Sequence, residues 1–224
     1  MKTYVLGDIH GNYKALLQVL ERCPIDPEVD KLIFLGDVCD GYPQTKECVD
    51  KLLEFKNLIV LKSNHDEWAL EWMEYGEKPF SWYVQGGKAT IDSYGGKHTN
   101  VPKEHIELLN NGLKYYLLEN ENDEPYIFVH GGFNPLVELE ENTVVSFTWD
   151  RNLINIAKHT RIAGYKHVFV GHTQTTNPPD YEPITHNNLT MLDTGAGYKG
   201  KLTIMDLESG EIWQSNEFFG HEKY

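Results

Sequence analysis

Apolar and polar positions alternate in two rhythms along this chain. Short runs at 3–6, 31–35, 58–61, 126–129, 167–170 and 189–192 are each apolar and of strand length. Between the first of them lie segments with helical spacing. In "NYKALLQVLER", Tyr13, Leu16, Leu17 and Leu20 stand at i, i+3, i+4 and i+7, which predicts an apolar stripe on one helix face. Asn12 is placed to cap that helix and Pro24 to close it. Further helices are predicted over 44–55 and over 66–75, the latter with Asp66 and Glu67 in its first turn, where carboxylates suit the helix dipole. Residues 79–111 read as mostly helical, broken at "QGGK" and "YGGK". The last third reads as strands, with "KLTIMDL" and "EIWQS" joined by a turn at "ESG". Strands alternating with helices, followed by a run of strands, predict a layered α/β sandwich. Without an internal linker or repeat, residues 1–224 form a single expected domain.

Composition changes this picture little. With 224 residues, 40% hydrophobic and 24% charged, the chain has an ordinary globular make-up and can bury one sizeable core. The N-terminal "MKTYVLGDIHG" lacks the apolar stretch of a signal peptide, and no later run reaches membrane-spanning length. A cytoplasmic protein with no membrane partner is expected. Cys23, Cys39 and Cys48 fit neither a zinc spacing nor a disulfide framework and read as reduced thiols. The net charge of −14 argues against a stable nucleic-acid partner, which calls for a basic face. It also means that an anionic substrate needs a local reversal of the field. The densest acidic stretch, Glu119 to Glu124, reads as a solvated turn between strands.

The chemistry-bearing residues come directly after the strands: "GDIHG" (7–11), "GDVCDG" (36–41), "SNHD" (63–66), "HGG" (130–132), "GHT" (171–173) and "DTG" (193–195). Singly, each is an ordinary turn or cap sequence. Together they place Asp8, His10, Asp37, Asn64, His130 and His172 at the carboxyl ends of strands, where sites of open α/β sheets assemble. Carboxylate, imidazole and amide ligands in that number suit a pair of divalent transition ions. On this reading Asn64 is a metal ligand.

The same ordered motifs resemble the calcineurin-like metallophosphoesterases, most closely their bacterial and phage serine/threonine phosphatase branch, whose pattern is GDxHG, GDxxDRG, GNHE/D, HGG and GH. The likeness runs from residue 3 to about residue 206 and takes in "WYVQGGKATIDSYG" (82–95), "TWDR" (148–151) and "LDTGAGYKGKLTIMDL" (192–207). It implies a four-layer αββα sandwich of two mixed sheets flanked by helices, α/β or in some schemes α+β. It implies that Asp8, His10 and Asp37 hold one metal, and that Asp37 bridges to a second held by Asn64, His130 and His172. The general-acid position falls on His65, its orienting carboxylate on Asp40, and the phosphate-gripping arginine on Arg151, with Asn64 also facing the substrate. Two divalent ions are implied, manganese first, with iron, zinc, nickel or cobalt as alternatives.

Elementary chemistry agrees with those roles. Two close cations acidify a bridging water and offset phosphate charge, which also reverses the acidic field locally. An imidazole beside a metal-fixed Asn64, hydrogen-bonded to Asp40, would be held protonated and oriented. The chain departs from the pattern at three places. Gly41 stands where an arginine is usual, so restoring it is expected to lower KM for small phosphomonoesters if position 41 accepts a side chain, with Tyr42 as another candidate holder of phosphate. Ser63 replaces a glycine before Asn64, and Gln174 stands where phosphodiesterase-like branches place a second histidine. Cys39 reads as packing, Trp68, Trp72 and Trp82 as core or cleft wall, and His98, His105, His159, His167, His186 and His221 as surface or packing.

The expected activity is hydrolysis of phosphate monoesters by direct attack of a metal-bridging hydroxide, with phosphoserine or phosphothreonine in proteins as the leading substrate. The alternatives are a nucleotide-directed hydrolase, such as one that splits dinucleoside tetraphosphates symmetrically, and a non-catalytic metal-binding interaction protein. The sequence leaves the oligomeric state open.

Overall fold

In the computed structural model the described residues are 1–120, 123–175 and 181–219. The first half alternates strand and helix: β1 (Thr3–Leu6), α1 (Tyr13–Arg22), β2 (Lys31–Phe34), α2 (Thr45–Leu52), β3 (Asn57–Val60) and α3 (Asn64–Tyr75). A helical insertion follows, made of α4 (Phe80–Trp82), a π-helical turn over Tyr83–Gly87, α5 (Lys88–Ser93), a short 3-10 turn and α6 (Lys103–Asn110). The second half holds β4 (Tyr116–Asn120), β5 (Asp123–Val129), α7 (Val144–Trp149), α8 (Asn152–Ala157), β6 (His167–Val170), β7 (Ile184–His186) and β8 (Leu189–Met191). It closes with β9 (Lys199–Gly200), β10 (Thr203–Asp206), β11 (Ile212–Gln214) and β12 (Phe218–Phe219).

Two five-stranded mixed sheets form among the described residues, in the orders β11-β10-β1-β2-β3 and β4-β5-β6-β8-β7. β1, β2 and β3 run parallel, as do β5, β6 and β8, while β10, β11, β4 and β7 pair antiparallel with their neighbours. The apolar runs are continuous because successive side chains enter different cores. Tyr4 and Leu6 face the helical layer of α1 to α3, whereas Val5 between them faces the other sheet. Leu32 and Phe34 alternate with Ile33 and Leu35 in the same way. On the second sheet, Ile127, Val129, Val168 and Val170 meet α7 and α8, while Phe128 and Phe169 turn inward. Those two rings stack at 5.1 Å in the middle of the sandwich, a contact worth about 0.5–1.5 kcal/mol beyond its burial. Three cores between four layers are the expected αββα sandwich.

Local expectations fare unevenly. Asn12 caps α1, its side chain accepting from the Ala15 N–H, and the helix ends before Pro24. Of the predicted stripe, Tyr13, Leu16 and Leu20 pack on the core, while Leu17 is 41% exposed and Ala15 and Val19 are buried beside Leu16. α2 stops at Leu52, short of residue 55, and α3 begins at Asn64 itself. Both predicted breaks occur: at "QGGK" the backbone leaves helical geometry at Gln85 and Gly86, the latter at φ +116°, and at "YGGK" Gly95 and Gly96 are both at positive φ. The ends of the Glu119–Glu124 turn pair as Asn120 opposite Asp123; residues 121 and 122 lie outside the described residues, as does His221. Among the described residues no helix is long and apolar enough to cross a membrane.

Candidate active site

Because β1, β2 and β3 run parallel in one sheet and β5, β6 and β8 in the other, the segments that follow them emerge at carboxyl ends and meet in one cleft of about 800 Å³. Several of these segments turn through the left-handed region directly at functional residues: His10 at φ 52°, Asp37 at 59°, Asp40 at 69° and His172 at 59°. That region is uncommon for residues with side chains, and Asp and His are among those that tolerate it. The loop carrying Asp37 and Asp40 is pinned by buried Asp66, which accepts the Val38 and Cys39 N–H groups at 3.3 and 2.9 Å. Ser63, the departure from the usual glycine, is also used: its hydroxyl accepts the Asp37 N–H at 2.9 Å.

Asp37 stands at the centre. Its Oδ2 lies 3.4 Å from His130 Nε2 and 3.6 Å from His10 Nε2, and its Oδ1 accepts the His65 N–H at 3.2 Å. Burial alone would raise this carboxyl, but the imidazoles of His130, His65 and His10 hold it well below the ordinary range. Asn64 Oδ1 lies 3.0 Å from His130 Nε2. The Nδ1 atoms of His10 and His130 are turned to the carbonyls of Cys39 and Leu35 at 3.0 and 2.8 Å, which orients Nε2 of each toward the cluster.

Two groups of three side chains could each hold a cation: Asp8, His10 and Asp37, and Asp37, His130 and His172. The ligand atoms of each group lie within 4.8 Å of one another, and Asp37 belongs to both. Their chemistry fits divalent ions. Asp8 Oδ1 and His172 Nε2 are buried without a hydrogen-bond partner among the described residues, an arrangement costly for polar atoms unless a ligand satisfies them. Burial, with Asp193 and Asp37 nearby, pushes the Asp8 carboxyl well up, as expected for acids crowded together. Burial, His130 and Arg151 bring His172 down to about 3, so its imidazole is neutral and able to ligate.

Beside this cluster, His65 Nδ1 lies 2.6 Å from Asp40 Oδ2, and Asp40 is fully buried. His65 stands edge-on to Trp68, Trp68 to Trp149, and Trp149 to His172, and of the two indoles Trp149 lines the cleft. Arg151, exposed at the start of α8, lines the same cleft with Gln174. Thus Asp8, His10, Asp37, Asn64, His65, Asp40, Arg151, His130 and His172 come together as the sequence placed them. Trp72 and Trp82 are buried and Trp68 is half-buried, while Cys39 is buried packing. Buried Asp193 also lines the cleft; the "DTG" motif marked its position, but nothing in the sequence separated a ligand from a turn there.

Two expectations about phosphate binding change. Tyr42 packs edge-on to Phe218 and lies outside the cleft lining, so it is no candidate for holding phosphate. Gly41 has φ +94°, and a Cβ there would meet Gly197 O and His10 O at 3.1 Å and His10 Cβ at 3.2 Å. Position 41 therefore does not accept the arginine easily. Gly41→Arg is expected to destabilise the fold by about 1–3 kcal/mol rather than to lower KM. A thermal melt checks it, since each 1 kcal/mol moves the midpoint by roughly 2–4 °C at this chain length. An unchanged midpoint would overturn the strain argument.

Comparison with known proteins bears on this geometry. The family described as calcineurin-like phosphoesterase matches residues 1–204. Serine/threonine-protein phosphatase 1 of Salmonella typhimurium is 26% identical over 208 residues, 92% of this chain and 91% of that protein. The symmetrical bis(5'-nucleosyl)-tetraphosphatase of Coxiella burnetii is 26% identical over 140 residues, 62% of this chain and 45% of that protein. The crystal structure of a candidate diadenosine tetraphosphatase has the same fold, with a TM-score of 0.69 at 18% identity over 98% of this chain and 95% of that one. With a match that runs from β1 into β10 and takes in every residue of the cleft, the chain belongs to the calcineurin-like phosphoesterases and is a phosphoric ester hydrolase.

Proposed function

We propose that this chain hydrolyses phosphate monoesters, with phosphoserine or phosphothreonine of a protein as its substrate. The observation that carries the reading is the buried Asp37 shared by two ligand groups, with the His65–Asp40 pair on the rim of the same cleft. Asp8, His10, Asp37, Asn64, His130 and His172 are the residues that would hold two divalent cations, and manganese suits their mixed oxygen and nitrogen donors. When bound, such a pair supplies Lewis acidity toward water and phosphate oxygens, so hydrolysis needs no covalent enzyme intermediate.

The chain's own side chains supply the remainder. With Nδ1 engaged by Asp40, His65 has Nε2 available to hand a proton to the leaving alkoxide oxygen, which a poor leaving group requires. Arg151 supplies forked donors to the phosphate oxygens. Since Gly41 replaces the second arginine, reliance on Arg151 is high. Arg151→Ala is expected to lower kcat/KM about 10- to 100-fold, the worth of one or two hydrogen bonds to a charged group. Steady-state kinetics on a phosphopeptide measures it, and a loss under threefold would mean that phosphate is held elsewhere.

The coverage of relatives favours a protein substrate. The chain aligns over nearly the whole of the Salmonella phosphatase but over less than half of the Coxiella tetraphosphatase. A phosphoserine peptide, diadenosine tetraphosphate and p-nitrophenyl phosphate, each assayed with Mn²⁺, discriminate the readings. Preference for the peptide supports the proposal. Preference for the dinucleotide replaces it with the nucleotide-directed alternative, and turnover of none would support the non-catalytic metal-binding reading over either.

A further inference from the structure

The insertion between α3 and β4 reaches into the site through two side chains that do not touch the cleft's reacting centre. Asp40 is fully buried, and its carboxylate has three side-chain partners. Oδ2 accepts from Trp82 Nε1 at 2.8 Å and faces His65 Nδ1 at 2.6 Å, while Oδ1 accepts from Thr90 Oγ1 at 2.8 Å. The Thr90 hydroxyl also accepts the Asp40 backbone N–H at 2.8 Å, so one side chain fixes both ends of the residue. Trp82 and Thr90 are themselves fully buried and sit on α4 and α5, on either side of the π turn.

That turn is shaped around Asp40. Gly86 has φ +116°, and a Cβ on it would stand 2.7 Å from Gly41 N and 3.0 Å from Asp40 Cβ. A Cβ on Gly87 would stand 2.4 Å from the Trp82 ring. The two glycines therefore allow the backbone to press the indole N–H and the hydroxyl onto one carboxylate. A carboxylate with donors on both oxygens cannot rotate freely about its χ2, so the direction in which Oδ2 meets His65 is set by the insertion.

We propose that Trp82 and Thr90 are positioning residues for the proton-donating imidazole. They lock the Asp40 carboxylate, Asp40 locks the His65 ring, and His65 Nε2 is thereby aimed at the leaving-group oxygen. This rests on the reading of His65 as the acid. Side chains that orient a working imidazole are commonly worth about 10-fold or more in activity. The loss should fall on substrates whose leaving oxygen needs a proton and should spare those whose leaving group departs as a stable anion.

The test is a series of aryl and alkyl phosphates of graded leaving-group basicity, run on the metal-loaded enzyme. Variants are Trp82→Phe, Thr90→Val, Thr90→Ser and His65→Asn, each checked by thermal melt. Trp82→Phe and Thr90→Val are expected to lower kcat for alkyl phosphates about 10-fold with KM within about twofold, and p-nitrophenyl phosphate turnover by less than about threefold. Thr90→Ser should return the shallow leaving-group dependence that Thr90→Val makes steep. Adding Trp82→Phe to His65→Asn should make the slope no steeper, since both act on one proton transfer. Equal slowing across the series in Trp82→Phe and Thr90→Val, with a steep slope in His65→Asn, overturns the inference and leaves His65 as the acid. A flat series in His65→Asn overturns both. Should Trp82→Phe fail to fold, Thr90→Val and its serine counterpart decide the matter.

Discussion

Asp37→Asn is expected to lower phosphomonoester turnover by more than about 100-fold and to remove most of the stabilisation that the protein gains from metal. Outer-lying partners of metal ligands already cost about 10- to 100-fold when removed, and Asp37 is the one side chain common to both ligand groups. An amide keeps the shape and the bond to the His65 N–H but gives up the charge that would balance two cations held there. The effect has a readout besides activity. In the chain without cations, buried Asp8, Asp37 and Asp193 face one another, and burial with that crowding raises Asp8 and, chiefly through burial, Asp193. A cation that binds the folded state at a hundredfold excess over its Kd contributes about 2.7 kcal/mol, or roughly 5–10 °C in melting temperature at this size. Chelated wild-type protein should therefore melt lower, and Mn²⁺ should restore both midpoint and turnover better than Mg²⁺, since imidazole ligands favour transition ions. Elemental analysis should find less metal in Asp37→Asn and its melt should scarcely respond to Mn²⁺. Full activity in chelated wild-type protein would remove the basis for the proposed site.

The parts of this molecule that were legible in its sequence share a physical cause. β1, β2, β5, β6 and β8 bury both faces, so each reads as an apolar run, and the change from apolar to polar marks the strand end where the site must lie. His10, Asn64, His130 and His172 were found in this way. β9 and β12, of two residues each, and β7, of three, are too short to present any period. Leu17 misleads because four apolar residues at helical spacing define a stripe but not which neighbour of the stripe faces the sheet. Trp82 and Thr90 were illegible for a different reason. Their local sequence announces a helical segment with glycines, and nothing in it says that the segment packs on Asp40 some 40 to 50 positions earlier. Gly41 reads from the sequence as a missing arginine. Only its φ and its neighbours reveal that it is a required turn.

If His65 donates the proton, as proposed, the cost of losing it depends on the leaving group. His65→Asn is expected to slow a phosphoserine peptide by about 10²–10⁴-fold and p-nitrophenyl phosphate far less, because nitrophenolate leaves without a proton. The imidazole is well prepared for that task. Burial alone would lower it, yet the Asp37 and Asp40 carboxylates outweigh burial and hold it up at about 9 in the chain without cations. Cations held on Asp37 and Asn64, as proposed, would push it down from there, since like charge disfavours the imidazolium. The donating form is present below the folded value and is lost as pH rises through it. Turnover of alkyl phosphates by the loaded enzyme should therefore fall on an alkaline limb below about 9. That limb should be shallow for p-nitrophenyl phosphate and absent for either substrate in His65→Asn. The Asn variant keeps a polar side chain of modest size on the rim of the cleft, so its metal content and melting temperature should stay near wild type. Equal losses on both substrates, with metal content unchanged, would mean that His65 serves phosphate binding or site shape and gives no proton. The alkaline limb would then belong to another group, and buried Asp40 would be left orienting a ring that takes no part in the transfer.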